Sequence, residues 1–402
     1  MTKATQTIPN GYKQTEIGVI PEDWDVKKLG EFDLDISDGN YSSKYPKASE
    51  FKERGIPFIR ANNIKNLRVI DNELRFISNK LHSELIKGHL KKDDILITTR
   101  GEIGQIAIVP DRHIGSNINA QVVRINAGEK FNKYYFAYFL IKSDTQESLL
   151  NMQTGSALKQ LPVGKLKELK IIYPSLPEQT AIATVLSDTD ALIEKLEKLI
   201  AKKKAIKQGA MQQLLTGKKR LPRFSGEWEM KKLGEVCYIR KGQLITESTR
   251  IDGNIPVIAG GKTPAYFHNK ANRHGKTITI SGSGASAGYV AFHKYPIFAS
   301  DCSTIEESRS YSIEYIYFLL QSLQDTIYKM QTGGAQPHIH PNDLNPIIVS
   351  IPKPEEQTAI ATVLSDMDTE IEKLENKLGK YRQIKTGMMQ QLLTGKIRLL
   401  RK

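Results

Sequence analysis

Two stretches of this chain space their apolar residues for unusually long helices. In the second, Ile360, Leu364, Met367, Ile371, Leu374, Leu378 and Tyr381 step by four and three in alternation. In the first, Ile182, Leu186, Thr189, Ile193, Leu196, Ile200 and Lys203 step the same way. Such a series puts one stripe of side chains on one helix face, the pattern of a coiled-coil seam, and the flanking Lys and Glu suit its solvated edges. Pro174 and Pro177 precede one stretch, Pro352 and Pro354 the other, where proline leads into a first turn but cannot continue a helix. The expected pairing is therefore Ile182, Leu186, Ile193, Leu196 and Ile200 against Ile360, Leu364, Ile371, Leu374 and Leu378. The alternative is that each helix docks on its neighbouring domain.

The two stretches are copies. Each opens with E-Q-T-A-I-A-T-V-L-S-D, at Glu178 and Glu356, and closes with M-Q-Q-L-L-T-G-K, at Met211 and Met389. At an offset of 178 residues, roughly 29 of 41 positions are identical. The duplication extends further. Trp24–Glu31 answers Trp228–Glu235, Ile56–Ile59 answers Ile255–Ile258, and Met152–Gly155 answers Met330–Gly333. Gly104 and Ser116-Asn117 are aligned with Gly288 and Ser300-Asp301 at an offset of 184. The offset falls along the chain, as expected for two homologous units that differ by loop deletions.

Between these marks both units read as mixed α and β. Asp94–Thr99 and Lys276–Ile280 are β-branched runs stopped by glycine-containing turns, hence strands; Gln121–Ile125 and Tyr289–Phe292 add two more. Phe131–Leu150 and Ile313–Tyr328 space their apolar residues for helices. Without a regular βαβ rhythm the class is α+β. The expected division is an N-terminal segment, 1–23, packing near the distal helix; a first globular domain, 24–173; a central helical region, 174–223; a second globular domain, 224–351; and a distal helical region, 352–402. A helix of about 38 residues is roughly 57 Å long. The second can pair with the first only by running back antiparallel, which predicts two domains at opposite ends of a rod, related by a pseudo-two-fold axis.

A formal charge of +14 and a pI near 9.4 point to a polyanionic partner, with nucleic acid favoured over membrane. No apolar run approaches the ~20 residues that span a bilayer. The first residues carry no apolar core of a signal peptide. The two cysteines, Cys237 and Cys302, make neither a disulfide framework nor a zinc site, which suggests a cytoplasmic location.

Several catalytic motifs come close and fail. Gly261-Lys262-Thr263 resembles the end of a phosphate-binding loop, but Pro256 occupies the position of its first glycine. Gly282–Gly288 follows a strand, yet a strand rather than a helix N-terminus comes after it. His338 and His340 lack a third metal-ligand partner. No catalytic residue and no metal site is expected.

What remains are polar turns suited to base edges, where Arg pairs with guanine and Asn with adenine. In the first unit these supply Tyr41, Ser43, Lys44, Tyr45, Arg60, Asn62, Asn63, Thr99, Arg100, Asn117 and Asn119. In the second they supply Lys241, Gln243, Lys262, Tyr266, Ser283, Ser286, Asp301 and Ser303. For each, the competing reading is a turn former that satisfies its own backbone.

Taken together, the Pro-x-x-x-Glu-Gln openings at Pro174 and Pro352, the Gln-Gln-Leu-Leu-Thr-Gly closings and the Trp-x-x-Lys-Lys-Leu-Gly-Glu repeats resemble the specificity subunit of type I restriction–modification enzymes. The resemblance covers essentially the full chain. It implies a non-catalytic subunit with two target-recognition domains, each reading half of a bipartite double-stranded DNA site, and a helical rod that fixes their separation. It implies two methyltransferase subunits and two restriction subunits as partners, with S-adenosylmethionine, ATP and Mg on those partners and no cofactor on this chain. The alternative is a free-standing DNA-binding regulator with two heads on a rod.

Overall fold

The structure, a computed structural model, describes residues 8–40, 45–156, 158–246, 248 and 251–400. It divides into two compact units, one made of Met1–Lys195 with Leu378–Lys402 and the other of Leu196–Lys377. Each unit thus holds one domain and half of each long helix.

The first unit opens with the hairpin β1 (Tyr12–Thr15) and β2 (Gly18–Pro21), followed by β3 (Asp25–Lys28), β4 (Ile36–Asp38), β5 (Ile56–Ile59), the short pair β6 (Ile64–Lys65) and β7 (Arg68–Val69), and β8 (Arg75–Ile77). After α1 (Asn79–Glu84) come β9 (Asp94–Thr98), β10 (Ile106–Ile108), β11 (Asn117–Ile118) and β12 (Val122–Asn126). Helices α2 (Lys133–Ile141), α3 (Ser143–Asn151) and α4 (Val163–Leu166), then β13 (Lys170–Tyr173), lead into α5 (Leu176–Leu214). The main sheet runs β10-β9-β12-β4, entirely antiparallel. A smaller sheet, β11-β5-β8, includes a parallel pair.

Strand alternation explains the packing of the main sheet. Ile95 and Ile97 face the main core with Phe136 and Leu140 of α2, whereas Leu96 faces a second core with Ile59, Ile118 and Val122. With both faces covered, β9 is buried throughout. The helix expected over 131–150 is two helices, because Lys142 is extended; Gln146 donates to the Leu140 carbonyl at 2.7 Å across the break.

The second unit repeats this plan with β14 (Glu229–Lys232), α6 (Leu233–Val236), β15 (Arg240–Lys241), β16 (Ile255–Ile258), β17 (Tyr266–His268), β18 (Thr277–Ser281), β19 (Val290–His293), β20 (Phe298–Ala299) and β21 (Cys302–Glu306). Helices α7 (Ile313–Ser322), α8 (Gln324–Lys329) and α9 (Pro341–Leu344), then β22 (Ile348–Ile351), precede α10 (Pro354–Leu392). Its sheets are β15-β21-β18-β19 and β17-β16-β20. Ile278 and Ile280 face the main core, but the other face of β18 is polar: Thr277, Thr279 and Ser281 are buried, with Thr279 against His293 at 2.9 Å. The chain is thus α+β, with two mixed domains connected by long helices.

The sheet register corrects one part of the sequence alignment. Asn117 pairs with Phe58, and Phe298 pairs with Val257, so Asn117 corresponds to Phe298. Asn119 donates to the Ile59 carbonyl as Ser300 does to that of Ile258, which makes Ser300 the counterpart of Asn119 rather than of Ser116. A two-residue polar match slides freely across a loop of unequal length, whereas backbone pairing fixes the register.

The repeated helix motifs have direct roles. In the first unit the Glu178 carboxylate is buried and accepts from Trp24 Nε1 at 3.0 Å and from Arg398 Nε and Nη2 at 2.6 and 2.7 Å. In the second, Glu356 accepts from Trp228 Nε1 at 3.2 Å and from Arg220 Nε and Nη2, both at 2.6 Å. Each guanidinium also lies over the indole of its triad. The neighbouring glutamines act alike: Gln179 accepts from the Asn132 backbone and donates to the Pro174 carbonyl, and Gln357 does the same with Ser312 and Pro352. The closing Thr-Gly-Lys places Gly217 and Gly395 at positive φ, which ends each helix. A Cβ on Gly395 would sit 2.4 Å from Pro21. Tyr12 and Asp23 also bond to the 395–398 segment, so the described part of the N-terminal segment packs there.

Of the expected seam, Ile182, Leu186, Leu196, Ile200, Ile360, Leu364, Ile371 and Leu378 are buried, while Ile193 and Leu374 are half-buried. Ile182 and Leu186 belong to the first domain's core, and Ile360 and Leu364 to the second's. The outer seam positions therefore dock on domains. Within the second unit, Lys203–Glu370, Lys204–Glu375 and Lys207–Asp368 link the two helices, as Lys385–Asp190 does in the first. Lys204 meets Glu375 while Lys207 meets Asp368, so the helices run antiparallel.

Candidate nucleic-acid interface

The polar turns follow from the sheet edges. In the first domain β9 ends at Thr98, and the turn beyond it is closed by the Gly104 amide on the Thr98 carbonyl. Arg100 then forms an isolated bridge with Gln160, which belongs to a hairpin closed by reciprocal bonds between Thr154 and Gln160. The Arg100 guanidinium donates from Nε and Nη2 to Gln160 Oε1 at 3.1 and 2.9 Å, so the amide fixes its plane. Asp38, Thr99, Arg100, Gln160, Leu161 and Pro162 line an open depression there.

The other expected residues of this domain separate into two groups. Asn63, Thr99, Asn117 and Asn119 are buried. Asn63 donates to the carbonyls of Ile70 and Asn72, Thr99 to that of Gln121, and Asn119 to Gln121 Oε1, while Asn117 Oδ1 meets His82 Nδ1. In this structure these four side chains support the fold. Asn62 is exposed, and Tyr45, Arg60 and Arg100 are half-buried. Arg60 donates to the Glu73 carbonyl at 3.1 Å. Burial raises the Tyr45 hydroxyl above its ordinary range, a bond to Asn119 opposing it. Tyr41, Ser43 and Lys44 lie outside the described residues.

In the second domain Lys241, Gln243 and Lys262 are exposed, with the Lys262 ammonium over the Tyr289 ring. Tyr266, Ser283, Ser286 and Asp301 are half-buried, and Ser303 is buried within β21. Tyr266 donates to the Ile245 carbonyl at 2.9 Å, and the Ser283 hydroxyl donates to the Asp301 carboxylate. Ser283 bridges to His338 as Arg100 bridges to Gln160. Sequence reasoning passed over Gln160 and Gln121, and weighed His338 only as a metal ligand. The repeated Met-Gln-Thr-Gly hairpin was the signal available, because its offset of 178 residues aligns Gln160 with His338.

Electrostatics elsewhere in the fold are local. Arg124 is buried between Asp35 at 2.8 Å and Asp94 at 3.4 Å. The Lys91 ammonium, and then Arg124, hold the Asp35 carboxyl below the usual range, while burial pushes Asp94 up. Burial also raises both thiols, Cys237 and Cys302, to about 12. Among the described residues no group of three or more His, Cys, Asp or Glu could hold a metal ion, and no helix is long and apolar enough to cross a membrane.

The sequence matches the family model described as the type I restriction modification DNA specificity domain, over residues 21–208 and 225–380. The chain belongs to this family. A protein of Methanocaldococcus jannaschii, named as a candidate type I restriction enzyme MjaX specificity subunit, is 27% identical over 96% of this chain and 97% of its own length. The Escherichia coli type I restriction enzyme EcoprrI specificity subunit is 23% identical over 88% and 89% of the two chains. The crystal structure of a type I restriction–modification S subunit from M. genitalium has the same fold, with a TM-score of 0.65 at 17% identity over 96% and 97% of the two chains. This chain is accordingly a non-catalytic DNA-specificity subunit of a type I restriction–modification complex, with DNA and the methyltransferase and restriction subunits as partners.

Proposed function

We propose that each domain of this specificity subunit reads one half of a bipartite double-stranded DNA target, and that the paired helices set the distance between the halves. The observation that carries this is the duplication itself: two homologous domains, each tied to the long helices by the same Trp–Glu–Arg triad. A rigid reader offers side chains to base edges at a fixed register, and two such readers recognise two short sequences at a fixed separation. In the first domain Arg100, Asn62, Arg60 and Tyr45 are the described candidates for base or phosphate contact; Tyr41, Ser43 and Lys44 remain candidates from sequence. In the second they are Lys241, Gln243, Lys262, Tyr266, Ser283, Ser286 and Asp301.

The helices also dock the partners in this reading: two methyltransferase subunits carrying S-adenosylmethionine, and two restriction subunits using ATP and Mg. The setting is the cytoplasm. The test is DNA modification in vitro. The purified chain should neither methylate nor cleave DNA, and adding it to its methyltransferase should produce methylation at one two-part motif. Activity of this chain alone, or methylation at a continuous motif, contradicts the proposal.

A further inference from the structure

The duplication allows the two domains to be compared position by position within one chain. Around the exit of the central strand the framework is the same in both. The amides of Gly104 and Gly288 bond the carbonyls of Thr98 and Ser281, and both glycines have positive φ. The amides of Leu161 and Ile339 bond the carbonyls of Thr99 and Gly282. Reciprocal pairs close both hairpins, Thr154 with Gln160 and Thr332 with His338. The Thr99 amide bonds the Gln121 carbonyl as the Gly282 amide bonds that of Asp301.

On this shared framework three side chains differ in charge or in hydrogen-bonding groups. The first domain has Arg100, Gln121 and Gln160; the second has Ser283, Asp301 and His338. Gln121 is exposed and the other five are half-buried. They also interact within each set. Gln160 clamps the guanidinium of Arg100 from its Nε–Nη2 side, and Asp301 accepts from Ser283. In both domains, therefore, one backbone scaffold carries different polar groups, with Arg100 held by Gln160 and Ser283 by Asp301. Unlike the buried Asn117 and Asn119, which also differ from their counterparts Phe298 and Ser300, all six of these side chains reach the surface.

We infer that these three facing positions are the specificity-determining station of each domain: Arg100, oriented by Gln160, with Gln121 in the first, and Ser283, Asp301 and His338 in the second. This rests on the reading of one half-site by each domain. A planar guanidinium presents donors to the O6 and N7 acceptors of guanine in the major groove. A carboxylate accepts from the N4 amino group of cytosine in the major groove, so the station of the second domain selects a cytosine at one position. Gln160 is a positioning residue that acts through Arg100.

The experiment maps methylated motifs produced by the assembled methyltransferase complex carrying single variants of this chain. Gln160→Ala and Arg100→Ala should each relax one guanine position of one half-site, by about 5- to 150-fold in preference. The other half-site should stay unchanged. Gln160→Glu retains the acceptor for Arg100 and should restore the guanine preference, which a merely structural role does not predict. Asp301→Asn should relax one position in the opposite half-site. Where Gln160→Ala fails to assemble, Gln160→Met, closer in volume, carries the same test. An unchanged motif, or equal weakening of both half-sites, overturns the assignment. A wild-type complex with no two-part motif removes the underlying reading and the station with it.

Discussion

His293 shows how one buried residue couples this fold to pH. Its ring is 7% exposed, Nε2 lies 2.9 Å from Thr279 Oγ1, and Nδ1 is buried with no hydrogen-bond partner. Burial lowers its pKa from 6.5 to about 4. The unfolded chain therefore takes up a proton near pH 6.5 that the folded chain refuses until about pH 4. Stability is unaffected above this window and is lost as pH falls through it, by about 2–3 kcal/mol. Urea unfolding of the wild type from pH 7 to 4 should show the loss, and His293→Gln should flatten the profile by one proton. An unchanged profile in the variant would assign the loss to other groups. Nothing in the sequence around His293 announced this, since burial of the polar face of β18 depends on tertiary packing. Burial also separates the expected DNA contacts: Asn63, Asn117 and Asn119 have the right side chains in the right turns, yet all three are buried. Residue type in a turn does not distinguish a base reader from a turn former.

Elements were far more legible than sites. The seam steps gave both long helices, and the β-branched runs gave β9, β12, β18 and β19, because period and propensity are local properties. The break at Lys142 and the register of β11 were not legible, being set by contacts between distant segments. The Glu-Gln repeat was visible as a sequence but not as a device. Its chemistry emerges only when Arg398, 220 residues away, is brought onto Glu178. Removing that arginine leaves the Trp24 indole bonded to a carboxylate that is 3% exposed and has lost its charge partner. Arg398→Ala should then cost about 2–4 kcal/mol, read by denaturant unfolding. Adding Glu178→Gln should recover part of this, because the uncompensated charge is gone. Additive losses in the double variant would mean that the triad contributes packing rather than charge pairing.

At the scale of the whole molecule, the duplication organises the account. Two domains of one fold, each with its own core, are joined by helices that carry the same anchoring triad at each domain. Family membership supplies the role of a specificity subunit, and the positive charge of the chain suits a DNA partner. The central claim is that the two domains read independently. It is tested most directly by replacing residues 24–173 with the corresponding domain of another specificity subunit and mapping methylation by the reconstituted complex. One half of the motif should change, while the other half and the spacing between them persist. A motif altered in both halves, or in neither, would contradict independent reading.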